Sequence, residues 1–150
     1  MTVWISEISL DDVETVVPLF DEYRQFYGQA SDIEGVHLYL SQRLNNCESV
    51  IFVAQRDHSA CGFTQLYPSF SSISMKPIWI LNDLFVRASD RRRGVGYQLL
   101  QTAIEYARKS HACRLALATE RKNLPAQTLY EQSGWVKDEI YIHYNHPLNG

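Results

Sequence analysis

The sequence predicts an α/β (α+β) fold, with one mixed, mostly antiparallel central sheet flanked by about four helices. Three observations predict it. Apolar residues switch between strand-like and helical spacing along the chain, an order that builds a sheet with helices against it. Two strand-like runs, Ser49 to Gln55 and Gly62 to Tyr67, are separated by the polar turn Arg56-Asp57-His58-Ser59, which reads as an antiparallel hairpin. Finally, 150 residues with 45% hydrophobic content suffice for one well-cored domain and are too few for two typical ones. No repeat or linker interrupts the chain, so residues 1–150 are expected to form a single domain.

Each element has its own warrant. Val3 to Ile8 alternates enough for a first strand. Ser9-Leu10-Asp11-Asp12 resembles a capping box with Asp in place of the usual Glu, and Val13, Val16, Val17, Phe20 and Tyr27 follow at helical spacing. Ser31-Asp32-Ile33-Glu34 repeats the capping logic before a second helix carrying Ile33, Val36, Leu40 and Leu44. After the hairpin, a Ser-rich loop from Ser69 to Ser74 leads into a long strand, Ile78 to Val86. The third helix, Gly94 to Lys109, buries Val95, Leu99, Leu100, Ala103, Ile104 and Ala107. Leu115 to Thr119 reads as a short buried strand. Asn123 can then N-cap a fourth helix, Pro125 fits its first turn, and Gly134 suits its C′ position. A last pair of strands, Trp135 to Lys137 and Ile140 to Asn145, is expected to close the chain.

Composition narrows the function. A net charge of −3 and a pI near 5.9 argue against non-specific nucleic-acid binding, which needs a broad basic face. Cys47, Cys61 and Cys113 are odd in number and lack metal spacing, and they read as thiols in a reducing cytoplasm. The N-terminus has no basic leader-like region, and no apolar run approaches membrane-spanning length. A cytoplasmic protein without metal, membrane or nucleic acid is expected.

The most informative stretch is Arg91-Arg92-Arg93-Gly94-Val95-Gly96, lying between the long strand and the third helix. The first turn of a helix leaves backbone N–H groups unpaired and carries partial positive charge. Glycines let an anion approach those groups, and arginines add fork-shaped donors. A pyrophosphate-bearing ligand is the first expectation. The P-loop pattern is absent, and Leu99 stands where a dinucleotide fingerprint needs its third glycine. What is present is R-x-x-G-x-G after Asn82-Asp83-Leu84-Phe85-Val86. That resembles the pyrophosphate-binding motif of the GNAT superfamily, the acyl-CoA-dependent N-acetyltransferases. A second signature supports the resemblance: the strand Leu115 to Thr119, then Asn123 opening a helix, Tyr130 near its middle, and Gly134-Trp135 at its end. The two signatures cover about the last half of the chain.

The resemblance implies acetyl-CoA as cosubstrate, with no metal, and direct attack of a primary amine on the thioester. It implies that the loop Arg91, Arg92, Arg93, Gly94, Val95, Gly96 and Tyr97 holds the diphosphate. It also implies that the backbone of Leu84, Phe85 and Val86 pairs with the pantetheine arm, and that Asn123, Ala126 and Tyr130 lie beside the coenzyme. The chemistry requires a neutral amine, a stabilised carbonyl oxygen and a proton for the leaving thiolate. A phenol near about 10 can protonate a thiolate whose conjugate thiol lies near about 8.5. The family's spacing assigns that role to Tyr130, the alternative being that it only packs its helix. For the base, many relatives place a Glu on the long strand. Here the candidates are Asn82, which could orient a water or amine, Asp83, and Glu120. Alternation along a strand is expected to point Asp83 to the face opposite Asn82; a structural role for Asp83 is weighted ahead of catalysis, and proton loss through ordered water stands beside any side-chain base.

Tyr23 and Tyr27, on a segment mixing acids with aromatics, would suit a cationic amine through cation–π contacts. The acceptor is expected to be a small-molecule or peptide amine, with a lean toward the small-amine, polyamine and histone-like branches. The aromatic-rich C-terminus (Trp135, Tyr141, Tyr144) suggests a homodimer. Two other readings stay open: a non-catalytic acyl-CoA-binding regulatory domain, and a binding module for another phosphorylated ligand.

Overall fold

The computed structural model describes residues 2–149. Five strands form one sheet in the order β1-β2-β3-β4-β5: Trp4–Glu7, Val50–Arg56, Ser59–Ser71, Lys76–Val86 and Leu115–Ala116. The first three ladders are antiparallel and the last, β4 with β5, is parallel, so the sheet is mixed and mostly antiparallel as expected. Four α-helices accompany it: α1 Val17–Phe26, α2 Ile33–Asn45, α3 Val95–Lys109 and α4 Leu124–Gln132. Short 3₁₀ helices lie at Leu10–Thr15 and Ala88–Asp90. The described residues fall into two compact units, one running to Ala118 and one starting at Thr119. The first holds the whole sheet with α1, α2 and α3; the second holds α4 and the residues around it. No helix among the described residues is long and apolar enough to cross a membrane.

Strand alternation builds the core of the first unit. Ile51, Val53, Phe63 and Phe85 point to one face and pack with Val17, Leu19 and Phe20 of α1 and Val36 and Leu40 of α2. Helix α3 covers the other face. Its Tyr106 ring sits 5.5 Å from that of Phe52 and 5.4 Å from that of Trp79. Gly62 lies beneath it, where a Cβ would come within 3.2 Å of both Val95 and Leu99 and 3.0 Å of the Phe85 carbonyl. The close approach of α3 to the sheet requires that glycine.

Several boundaries differ from expectation, each for a local reason. The Ser9 segment forms a 3₁₀ turn, and α1 begins only at Val17, because Pro18 takes the first helical turn. Ser9 caps no backbone amide; its hydroxyl donates to Asp12 Oδ2 at 3.3 Å. At α2 the cap is Asp32, which accepts from the Gly35 amide at 2.9 Å. The adjoining Ser31 donates instead to buried Asp21, at 2.7 Å. The β3–β4 hairpin runs longer than its apolar pattern, reaching Ser71 and restarting at Lys76, so the first half of the expected Ser-rich loop is strand.

The expected last pair of strands, Trp135 to Lys137 and Ile140 to Asn145, is absent: among the described residues no strand follows Ala116. A strand persists only where a neighbour takes up its backbone groups. Here the Asp138 carboxylate accepts from the amides of Ile140 and Tyr141, at 2.9 and 3.0 Å, and turns the chain instead.

Candidate active site

In the first unit, strand β4 carries the site. It pairs with β5 at only two positions, Trp79 with Leu115 and Ile80 with Ala116. Beyond Ile80 no strand among the described residues pairs with its outer edge, so Leu81 to Val86 offers backbone donors and acceptors along an open rim. An extended ligand can add to such a rim as a further strand would. Leu84, Phe85 and Val86 lie on it, and the Phe85 side chain faces the α1–α2 core.

The rim runs into the basic turn. Arg92 and Gly94 both adopt left-handed backbone conformations, with φ of 62° and 80°, and Gly94 is the N-cap of α3. No side chain caps this helix start, so its first amides are left to the surroundings. Arg92, Arg93 and Tyr97 are exposed and Gly96 is half-buried, while Val95 is buried as an anchor. Arg91 is used differently. Its Nε donates to the Val86 carbonyl at 2.8 Å, and its guanidinium lies over the rings of Phe26 and Phe85 at 5.3 and 5.5 Å. Its side chain shapes the turn, while Arg92 and Arg93 remain available to an anion.

The turn is fastened at two further points. Arg87 donates from Nε and Nη2 to Glu22 Oε2 of α1, at 3.2 and 2.8 Å. Buried Asp90 pairs with Arg56 at the end of β2. A backbone held this way can present its amides to a diphosphate without first reorganising.

At the other end of the rim lies an irregularity absent from the sequence reading. Gln65 pairs with Asp83 and the next residue, Leu66, with Leu81, so Asn82 is an extra residue in β4. This β-bulge corrects the expectation from simple alternation. Asn82 and Asp83 do not point to opposite faces; Asn82 Nδ2 donates to Asp83 Oδ1 at 3.2 Å. Asp83 is buried at 6% exposure. Its Oδ1 also accepts from the Tyr23 hydroxyl at 2.8 Å, and its Oδ2 accepts from Gln65 Nε2 at 2.8 Å. Gln65 Oε1 in turn accepts from Ser49 Oγ at 2.7 Å, and Thr64 Oγ1 donates to the Asp83 carbonyl at 2.8 Å.

Tyr27 stacks edge-on against Tyr23, with ring centroids 5.2 Å apart. Nearby, the Tyr39 and Tyr67 hydroxyls share a 2.6 Å hydrogen bond. Burial, that bond and the Asp83 charge push the Tyr67 phenol well above its ordinary value, so it stays protonated. The structure thus joins Tyr23, Tyr27, Asn82 and Asp83 of the expected set. It adds Gln65, Ser49 and Tyr67, whose only sequence signal was polar atoms within or beside apolar strands.

The second unit carries the other expected residues. Asn123 caps α4, accepting from the Ala126 amide at 3.2 Å, and Pro125 lies in its first turn. Glu120 precedes the cap, and its carbonyl accepts from the Asn123 amide at 3.0 Å. Tyr130 lies in the last turns of α4, with its ring 6.1 Å from that of Trp135. Gly134, at φ 89°, ends the helix: its amide bonds to the Glu131 carbonyl, and the Trp135 amide bonds to the Tyr130 carbonyl. No group of three or more His, Cys, Asp or Glu able to hold a metal ion occurs among the described residues.

A mixed sheet whose β4 edge is open beyond Ile80, with a basic left-handed turn at the end of that edge, is the arrangement that the comparisons with known proteins place in a family. The chain belongs to the GNAT acetyltransferase family, whose model (Acetyltransferase (GNAT) family) matches residues 16–135. It is an acyltransferase, and enzymes of this family use acetyl-CoA. An uncharacterized N-acetyltransferase of Bacillus subtilis, YhfO, is 48% identical over 140 residues, covering 93% of this chain and 94% of that protein. A probable acetyltransferase of Haemophilus influenzae is 32% identical, covering 69% of this chain and 72% of its own. The crystal structure of a probable acetyltransferase superposes with a TM-score of 0.93 at 41% identity, covering 98% of this chain and 99% of that one.

Proposed function

We propose that this chain transfers the acetyl group of acetyl-CoA to a primary amine by direct attack, in a small molecule or a peptide. The carrying observation is the open rim of β4, Leu81 to Val86, running from the Asn82 bulge to the left-handed turn at Arg92 and Gly94. In this reading the turn from Arg91 to Tyr97 takes the diphosphate on backbone amides, aided by Arg92 and Arg93. The rim of Leu84, Phe85 and Val86 takes the pantetheine arm as an added strand. A rim amide near the bulge meets the thioester oxygen as it gains charge, an interaction worth about 3 kcal/mol where such donors have been removed from other enzymes. Asn123 and Ala126 hold the coenzyme from α4, and Tyr130 gives its proton to the departing thiolate. Tyr23, through its hydroxyl, and Tyr27, through its exposed ring, face the acceptor, whose cationic form suits the Tyr27 ring, and Glu120 attracts it by charge.

The family match at residues 16–135 spans both units, which supports reading them as one catalytic domain. Free Cys47, Cys61 and Cys113 suit a reducing cytoplasm. The test is thiol release from acetyl-CoA across polyamines, lysine peptides, amino acids and aminoglycosides, with Tyr130→Phe in parallel. We expect release with one amine class, and turnover about 100-fold lower in Tyr130→Phe at coenzyme affinity within a few-fold of the parent. Acetyl-CoA binding without release on any amine would favour the other reading, a non-catalytic acyl-CoA-binding regulatory domain.

A further inference from the structure

We propose that Tyr23 and Asp83 form a proton-accepting dyad for the acceptor amine, in which the Tyr23 hydroxyl touches the amine and the buried Asp83 carboxylate works through it. The inference rests on the acetyl-transfer reading and assigns the step that reading leaves open, the removal of the amine's proton.

The argument begins with what Asp83 cannot do. Its side chain is buried, and both oxygens are engaged: Oδ1 by Tyr23 and Asn82, Oδ2 by Gln65. Gln65 is fully buried and is held from behind by Ser49. An amine could reach this carboxylate directly only by breaking bonds that compensate its burial. The way out of the network leads through its outer donors. Asn82 carries an amide, which does not titrate. Tyr23 carries a phenol, and a phenol can gain one proton as it gives up another.

The Tyr23 ring is also fixed where a relay needs it. Phe20, Phe63, Phe85 and Tyr27 surround it at centroid distances of 5.7, 5.4, 5.7 and 5.2 Å. The hydroxyl therefore stays on Asp83 and does not swing among partners.

Location supplies the link to the reaction. The bulge at Asn82 and Asp83 lies just past Ile80, where β4 leaves β5. The basic turn lies at the opposite end of the rim. From Val86 back to Asn82 the strand spans roughly 13 Å, so an arm anchored by its diphosphate at the turn and laid along the rim ends beside the bulge. The Asp83 charge meets Tyr23 from α1 and is felt by Tyr67 of β3, which in turn meets Tyr39 and Arg43 of α2.

The step balances without any further reactant. An N–H bond of the ammonium breaks as a new O–H bond forms on Tyr23 Oη, and the proton already on Tyr23 passes to Asp83 Oδ1. No tyrosinate forms. The freed nitrogen lone pair makes the C–N bond to the acetyl carbon and the C–S bond breaks. The second proton shed by nitrogen balances the one the thiolate takes up. The proton on Asp83 returns to water by the same path once product leaves.

The test compares an accepted alkylamine with its β,β,β-trifluorinated analogue, which is similar in shape but largely neutral at pH 7 and so does not need this step. Thiol release is measured for the parent, Tyr23→Phe, Asp83→Asn and the double variant. In each variant we expect the ratio of alkylamine to fluoroamine turnover to fall about 100-fold, with the double variant no lower than the worse single. A ratio unchanged in Tyr23→Phe overturns the dyad, as does equal loss on both amines, which marks a structural role. Tyr23→Phe leaves the Asn82 and Gln65 bonds to Asp83 intact, so it carries the test even if Asp83→Asn fails to fold. Silence of the parent with every amine would overturn the acetyl-transfer reading itself, and the dyad with it.

Discussion

Two buried aspartates show how the same side chain serves different ends. Asp21 of α1 is 3% exposed and accepts from the Asp32 amide at 2.8 Å, from Ser31 Oγ at 2.7 Å and from Gln25 Nε2 at 3.0 Å. All three donors lie within eleven residues of it, so it fixes the α1–α2 connection locally. Asp83 instead gathers donors from α1 and β3, sixty and eighteen residues away, and ties the bulge to the aromatic core. Burial pushes the Asp21 carboxyl up, but the Asp32 amide, Ser31 and Gln25 outweigh it and hold it below its ordinary 3.8. A depressed folded-state value contributes stability above the unfolded one and loses it as pH falls through the folded one. Asp21→Asn should therefore lose stability at pH 6, and its deficit against the parent should shrink as urea unfolding is repeated below pH 3.8. A deficit constant with pH would mean that the Asp21 charge does not support the connection. Asp83 stood out in the sequence as a charge inside an apolar run, whereas its partnership with Gln65 and Ser49 depends on strand register, which no short-range pattern encodes.

At the scale of elements, the basic turn is built from opposite tendencies. Arg92 and Gly94 bend the backbone left-handed, while Arg87 on Glu22, Arg91 on Val86 and the Asp90–Arg56 pair hold it in place. Gly94→Glu tests the arrangement. A Cβ at Gly94 would meet nothing within 4 Å, so the added strain is only that of a left-handed residue, about 1–2 kcal/mol, which a domain of this size tolerates. In the proposed reading, its carboxylate would stand where the diphosphate binds. Calorimetry should show coenzyme A binding abolished while circular dichroism stays native; undiminished binding would put the ligand elsewhere. The turn and its flanking elements were legible because strand, glycine and helical period follow one another without overlap. Elements were misread where one residue overrides a period. Pro18 delays α1, Asn82 inserts into β4, and Asp138 captures two amides that a last strand would have used.

At the scale of the whole molecule, that missing strand pair bears on assembly. The segments 135–137 and 140–145 carry Trp135, Val136, Ile140, Tyr141, Ile142 and Tyr144, a composition suited to strands. Among the described residues of their own unit no strand pairs with them. The sheet of the first unit adds an edge at β1, where Trp4 is exposed, and a hairpin tip bearing exposed Phe70, Ile73 and Met75. Unpaired edges and large exposed apolar side chains are what association between chains removes. A net charge of only −3 does little to oppose the approach of a second copy. We therefore predict a homodimer. Size-exclusion chromatography with light scattering should give twice the 17.3 kDa of one chain at micromolar concentration. Replacing Ile140 and Ile142 together by Lys should shift the population toward monomer if those segments form the contact. A parent protein that runs only as a monomer would refute the dimer. A dimer indifferent to the two lysines would move the contact to β1 or the hairpin tip.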